Sequence, residues 1–303
     1  MKKIIMATLL MGLVSVASAQ VTINGKVSAF VDNSKVGNGS TSTQLVTEPT
    51  SNFALSVKEK MGRDLFARAT VETSLKGNTF GGDDTRVGDR QATVGLANKF
   101  GSVDLGRNVH SHFLAITKND VFGTLYGSVA GDVHNLRGLR LADAVYATMV
   151  PVKGSVVAYE RTLNGPGADA EVFAGSTKIA RLHVDVARFQ QGTEKSTVFG
   201  AQTKLMGTTV AYVYSDNEGL VTSKGQTLGV ARDMGHITAK ASYGRTNTDT
   251  TAYNVGADYN LSKRTALHVV YRNVDRSAVS CLAIGCPAAN GTSGFGVGVT
   301  HKF

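Results

Sequence analysis

From Gln20 onward the chain alternates. Val21, Ile23, Val27 and Ala29 fall on one side of an extended backbone and Thr22, Asn24, Lys26 and Ser28 on the other, the period of two that a strand with one apolar and one wet face requires. The pattern keeps returning. Leu65, Ala67, Ala69 and Val71 oppose Phe66, Arg68, Thr70 and Glu72; Leu182, Val184 and Val186 oppose Arg181, His183 and Asp185; Tyr253, Val255, Ala257, Tyr259 and Leu261 oppose Asn254, Gly256, Asp258 and Asn260; and Phe295, Val297, Val299 and Phe303 oppose Gly294, Gly296, Gly298 and Lys302. Sixteen such segments can be counted, and at about ten residues per tilted strand they use roughly 160 residues and leave the rest for connections.

The connections fall into two kinds. Tight polar turns are expected near residues 60–63, 99–102, 151–154, 205–207, 234–236 and 262–264, and longer ones near 32–50, 76–88, 164–169, 216–225 and 274–291. Short turns on one rim and long loops on the other is the arrangement of an antiparallel transmembrane β-barrel. The polar faces favour that reading over a periplasmic sandwich or propeller. Arg181/His183/Asp185, Thr238/Lys240/Ser242 and Asn254/Asp258/Asn260 suit a hydrated lumen, while Tyr243, Tyr253, Tyr259 and Tyr271 stand among the aliphatics of the opposite faces, as an interfacial girdle would.

One stretch breaks the period. A short strand at Val103–Arg107 runs into more than thirty residues without clean alternation before a new strand begins near Leu141. An insert of that length inside a compact domain is usually functional. It is expected to fold into the barrel lumen and narrow it.

Residues 1–19 read as a targeting segment: Lys2 and Lys3, an apolar run from Ile4 to Val16, and the small residues Ala17-Ser18-Ala19 before Gln20. The barrel is then residues 20–303. Taking the leader away lowers the length from 303 to 284 and Lys+Arg from 32 to 30, against 23 Asp+Glu, so the net charge falls from +9 to +7. That excess suits either solubility or a preference for anions. After Val16 no apolar run approaches the roughly 18 residues of a membrane helix; Gly is abundant at 34, Pro scarce at 4 and Trp absent.

Cys281 and Cys286 lie in one Gly/Ala-rich segment, and in an exported chain they are expected to form a local disulfide rather than a metal site. Asn38-Gly39-Ser40 and Asn290-Gly291-Thr292 read as turns. His110 and His112 could share a transition metal, but without a third ligand they read as solvated loop histidines. The chain contains no G-x-S-x-G, no phosphate-binding Gly-Lys-Thr loop and no H-E-x-x-H, so neither an enzyme nor a cofactor is indicated. Its bases are scattered along strands instead of gathered into a nucleic-acid-binding patch.

Residues 90–108, RQATVGLANKFGSVDLGRN, resemble the general porins of Gram-negative outer membranes in the Neisseria and Burkholderia branch, with its RQAxVGL and FGxVxLGR pattern. NGKVSAF near the start and GFGVGVTHKF at the end extend the resemblance over essentially the whole mature chain. It implies an all-β, 16-stranded antiparallel barrel with its third loop inserted as a constriction. It also implies a homotrimer embedded in outer-membrane lipid and lipopolysaccharide, and a terminal Phe303 recognised by the outer-membrane assembly machinery. The implied activity is passive diffusion of small hydrophilic solutes and ions.

At such a constriction a basic row on the wall faces acids on the loop. By resemblance the row is Lys26, Arg107 and Arg140; Arg68 has the right parity without a firm match. Arg107 shares the parity of Val103 and Leu105, so its place in the lumen requires irregular backbone at Gly106. Two departures stand out: Ala54 where relatives place another arginine, and Lys118-Asn119-Asp120-Val121-Phe122-Gly123 in place of the relatives' acidic loop stretch. Asp120, with Asp132 behind it, is the expected acidic partner. Few acids against several bases implies a preference for small anionic or polar solutes. The alternatives are a porin specific for one anionic metabolite and a plugged barrel acting as an adhesin.

Overall fold

The computed structural model describes residues 19–36, 39–48, 50–75, 86–123, 126–134, 136, 138–163, 169–219, 222–276 and 292–303. Residues 1–18 of the leader, Cys281, Cys286 and the two sequon asparagines lie outside the described residues.

The strands are β1 (Gln20–Val36), β2 (Thr41–Thr47), β3 (Asn52–Gly62), β4 (Leu65–Ser74), β5 (Gln91–Asn98), β6 (Gly101–Val109), β7 (Arg140–Met149), β8 (Ser155–Thr162), β9 (Ala170–Ile179), β10 (Leu182–Gln191), β11 (Glu194–Leu205), β12 (Thr208–Glu218), β13 (Ser223–Met234), β14 (Ile237–Thr246), β15 (Thr250–Asn260), β16 (Thr265–Arg276) and β17 (Thr292–Lys302). Each pairs antiparallel with its neighbours, and β17 returns to β1, with Lys26 opposite Lys302 and Ala29 opposite Val299. The sheet is therefore closed and has no free edge.

Although seventeen segments are extended among the described residues, the barrel has sixteen staves. β2 pairs with the upper half of β1 and β3 with its lower half, so the two are one stave interrupted at Glu48–Ser51. The expected long connection at 32–50 is mostly strand, as is the one at 216–225. Strands that rise above the apolar band meet water on both faces, which erases the alternation by which a sequence reveals them.

Apolar side chains on the outward faces are exposed: Val94, Leu96, Val103 and Leu105 on β5 and β6, and Tyr243, Tyr253, Tyr259 and Tyr271 on β14 to β16. In a water-soluble fold these would be core; here they form the lipid-facing surface. Two-residue turns such as Met206-Gly207, both at positive φ, match the twist of the strands they join and make one rim short. The opposite rim carries the longer connections, yet includes the tight turns at 192–193 and 247–249.

Among the described residues two helices interrupt the strands, α1 (Ser111–Lys118) and α2 (Ala130–Val133), both between β6 and β7. Their apolar residues pack on the inward faces of the wall: Ala115, Ile116 and Ala130 with Ala187, Val198 and Val213, and Val129 and Val133 with Ala252 and Val274. The core among the described residues thus lies largely between this segment and the barrel. Where the segment covers them, the inward faces of β10 to β16 mix apolar residues with buried polar ones such as Asp185, Ser196, Ser215, Thr227 and Asn254.

Candidate functional site

The segment between β6 and β7 contacts inward residues of strands far apart around the circumference, a path open only through the interior. Glu160 of β8 accepts the Ser111 amide at 3.0 Å and the Ser111 hydroxyl at 2.5 Å, placing a carboxylate at the N-terminus of α1, where the helix dipole favours it. Asn119, after α1, donates to Asp185 of β10 at 2.8 Å, and Gln202 of β11 donates to the Lys118 carbonyl at 2.9 Å. Farther along, Asn254 of β15 donates to Gly127 O at 2.6 Å, and the Tyr126 amide donates to Glu48 at 2.8 Å. The Tyr126 ring stacks on Phe30 of β1, centroids 4.5 Å apart, and its hydroxyl donates to Asp32.

Small residues on the wall make room. A side chain at Gly200 would collide with Asn119 and the Ala115 carbonyl, and one at Gly225 with the Val133 carbonyl. The glycines leave slots into which the segment's backbone settles.

All three histidines here are buried. His110 caps α1 by accepting the Phe113 amide at 3.1 Å, and His112 is bonded to Ser196 of β11 at 2.7 Å. They are not the solvated loop residues expected; each secures the helix. His134 is bonded through Nδ1 to Ser215 at 2.7 Å and through Nε2 to Thr227 at 2.8 Å. With neutral hydroxyls as partners, burial pushes its imidazole down from 6.5 to about 3.

The inward side chains of β3 to β6 bond to one another. Arg68 reaches Asp104 with two hydrogen bonds, the Nε one 2.7 Å long, across Gly95, where any side chain would strike Asp104. Arg90, just before β5, pairs with Glu72, which also accepts from Asn52 at 2.6 Å. Lys26 pairs with Glu48 at 3.3 Å and lies within electrostatic reach of Arg90.

Arg107 and Arg140 come together with Arg90. Gly106, at φ +122, starts a register shift between β6 and β7, the irregular backbone that Arg107 requires. Its Nε donates to Asp89 O at 2.7 Å. Arg140 lies within electrostatic reach of Arg90, Glu72, Arg107 and Asp89, and its buried Nε has no partner among the described residues. Sequence reasoning quoted Arg90 within RQATVGL without weighing it, although its position opening a strand beside the inserted segment was the available signal. It missed Glu48 because its side chain sits where a stave is broken.

The two acids of the inserted segment are both engaged. Asp120 accepts the Phe122 amide at 3.0 Å and the Ser128 hydroxyl at 2.6 Å, and Asp132 pairs with Arg272 of β16 at 2.5 Å. Ala54 is buried on the inward face of β3. Phe303, whose N–H and carbonyl bond to Gly25 at 3.0 and 3.1 Å, closes the last stave against the first.

Residues 7–278 match the family model of Gram-negative porins. In structure the chain is similar to an anion-selective porin from Comamonas acidovorans, at 20% identity and a TM-score of 0.83, over 94% of this chain and 100% of that one. It is also similar to OmpF of Salmonella typhi in complex with daunomycin (14% identity, TM-score 0.73, 96% and 99% covered). A third is the loop L8 deletion mutant of OmpT, an outer membrane protein of Vibrio cholerae (12% identity, TM-score 0.73, 94% and 100% covered). No curated protein matches by sequence.

Proposed function

This chain belongs to the Gram-negative porins, channel-forming barrels of the outer membrane, and on that premise we propose that its lumen passes small hydrophilic solutes and ions by diffusion, anions in preference to cations. The observation that carries the preference is an imbalance across the lumen. In the basic row of Lys26, Arg90, Arg107 and Arg140, Glu48 and Glu72 pair with the first two, and among the described residues Arg107 and Arg140 pair with no carboxylate, while of the two acids of the inserted segment Asp132 is matched by Arg272. A solute at the level of the segment passes between that row and the covered wall. Low-dielectric walls and little water strengthen the field there relative to bulk solution, so an anion exchanges part of its hydration for the basic row while a cation meets repulsion.

The inserted segment narrows the lumen, and its anchors to β1, β8, β10, β13, β15 and β16 keep it from swinging in the flow. The assembled unit is a homotrimer seated in outer-membrane lipid and lipopolysaccharide, with Phe303 read by the assembly machinery. Planar-bilayer recording of the refolded protein tests this reading. Long-lived open steps grouped in threes are expected; a membrane-inserted protein that carries no current would overturn it.

A further inference from the structure

Resting on the anion-channel reading, we propose that the short-turn mouth is a second selectivity element, continuing from the basic row toward that side: a lysine-lined vestibule that concentrates anions from that side only. Lys58 and Lys60 lie on the inward face of β3 with Ala54, Lys178 on that of β9 with Val172, and Lys302 on that of β17 with Thr300; all four are exposed. β3 and β17 flank β1 and β9 is well separated from them around the closed sheet, so three ammonium groups gather on one side of the opening and Lys178 stands across from them.

Acids in this half of the lumen are already taken. Asp104 pairs with Arg68, Asp233 with Lys204 at 2.5 Å, and Asp258 with Lys240 at 2.5 Å. Among the described residues, Lys58, Lys60, Lys178 and Lys302 pair with no carboxylate; Lys58 instead stands 4.0 Å over the Phe66 ring. Lys302 directly faces Lys26 across the β1–β17 ladder, which places like charges side by side. Toward the opposite rim the inward Arg272 is matched by Asp132, and of the outward-facing bases Arg161 is matched by Asp169 and Glu171 and Lys224 by Asp216. The fixed charge is therefore uneven along the axis.

Charges spread around a mouth act at a distance and are screened by salt, with a Debye length of about 10 Å at 0.1 M and about 3 Å at 1 M. Their contribution is largest when the dilute solution bathes the short-turn side. Exchanging the dilute and concentrated chambers then gives zero-current potentials of unequal size, and the inequality vanishes when both chambers are concentrated.

The test uses full-length protein in planar bilayers, oriented by a biotinylated peptide inserted between Val152 and Lys153 and streptavidin added to one chamber. With dilute KCl on the short-turn side, a chloride-over-potassium ratio roughly two- to threefold higher than with dilute KCl on the other side is expected. In Lys60→Gln/Lys178→Gln/Lys302→Gln the two orientations converge while an anion preference remains. Lys60→Gln/Lys178→Gln, which leaves the last strand intact, is expected to close part of the gap. Equal ratios in the unmodified protein, or a gap that survives the triple substitution, would overturn the inference. Absence of any current would instead overturn the porin reading beneath it.

Discussion

Asp132 of the inserted segment and Arg272 of β16 are joined by a 2.5 Å ion pair in which the carboxylate is almost wholly buried. Removing one partner of a buried pair costs more than the pair contributes, because the other charge is left desolvated. Arg272→Gln is expected to weaken the docking of α2 by about 3 kcal/mol and to free Asp132 toward the lumen. Single-channel recordings should show flickering open current and a weaker anion preference, while Asp132→Asn/Arg272→Gln should recover most of the quiet behaviour.

His134 supplies a pH dependence whose sign follows from its depressed folded value. The undocked imidazole titrates near 6.5 and the docked one near 3, so between those limits the undocked state binds more protons. Docking is complete above pH 6.5 and weakens as the pH falls through 6.5 toward 3, by about 2–3 kcal/mol at pH 4.5. Open-channel noise should rise on acidification from pH 7 to 4.5, and His134→Gln should flatten that part of the profile.

Gly200 tests the fit between wall and segment. A valine there meets Asn119 and the Ala115 carbonyl, an overpacking expected to cost about 1–3 kcal/mol and to displace α1 inward. The barrel should still fold, with unit conductance reduced or unsteady; an unchanged trace would show that α1 does not lie where the helix contacts place it.

The basic row makes a quantitative demand on selectivity. Neutralising Arg90 and Arg140 to glutamine is expected to lower the chloride-to-potassium permeability ratio roughly fivefold, the factor that about 1 kcal/mol represents. Glu72, its partner Arg90 lost, would then add to the shift toward cations.

The barrel was legible because lipid imposes period two on every stave, and the exposed outward Val94, Leu96, Val103 and Leu105 carry that period. Arg107 was legible only jointly: its parity pointed outward, and the glycine before it signalled the register shift that the β6–β7 ladder contains. What escaped were contacts made across long sequence separation. Nothing local shows that His112 meets Ser196, or that Val198 and Val213 face inward beneath a helix. Nor does anything local show that Asp120 accepts from Ser128 across the loop, or that Asp132 meets Arg272.

The zero-current potential of the unmodified protein across a tenfold KCl gradient tests the central claim most directly. A pore in which Arg107 and Arg140 stand without a carboxylate partner among the described residues should give a potential of the sign set by chloride. A potential of the sign set by potassium would contradict it.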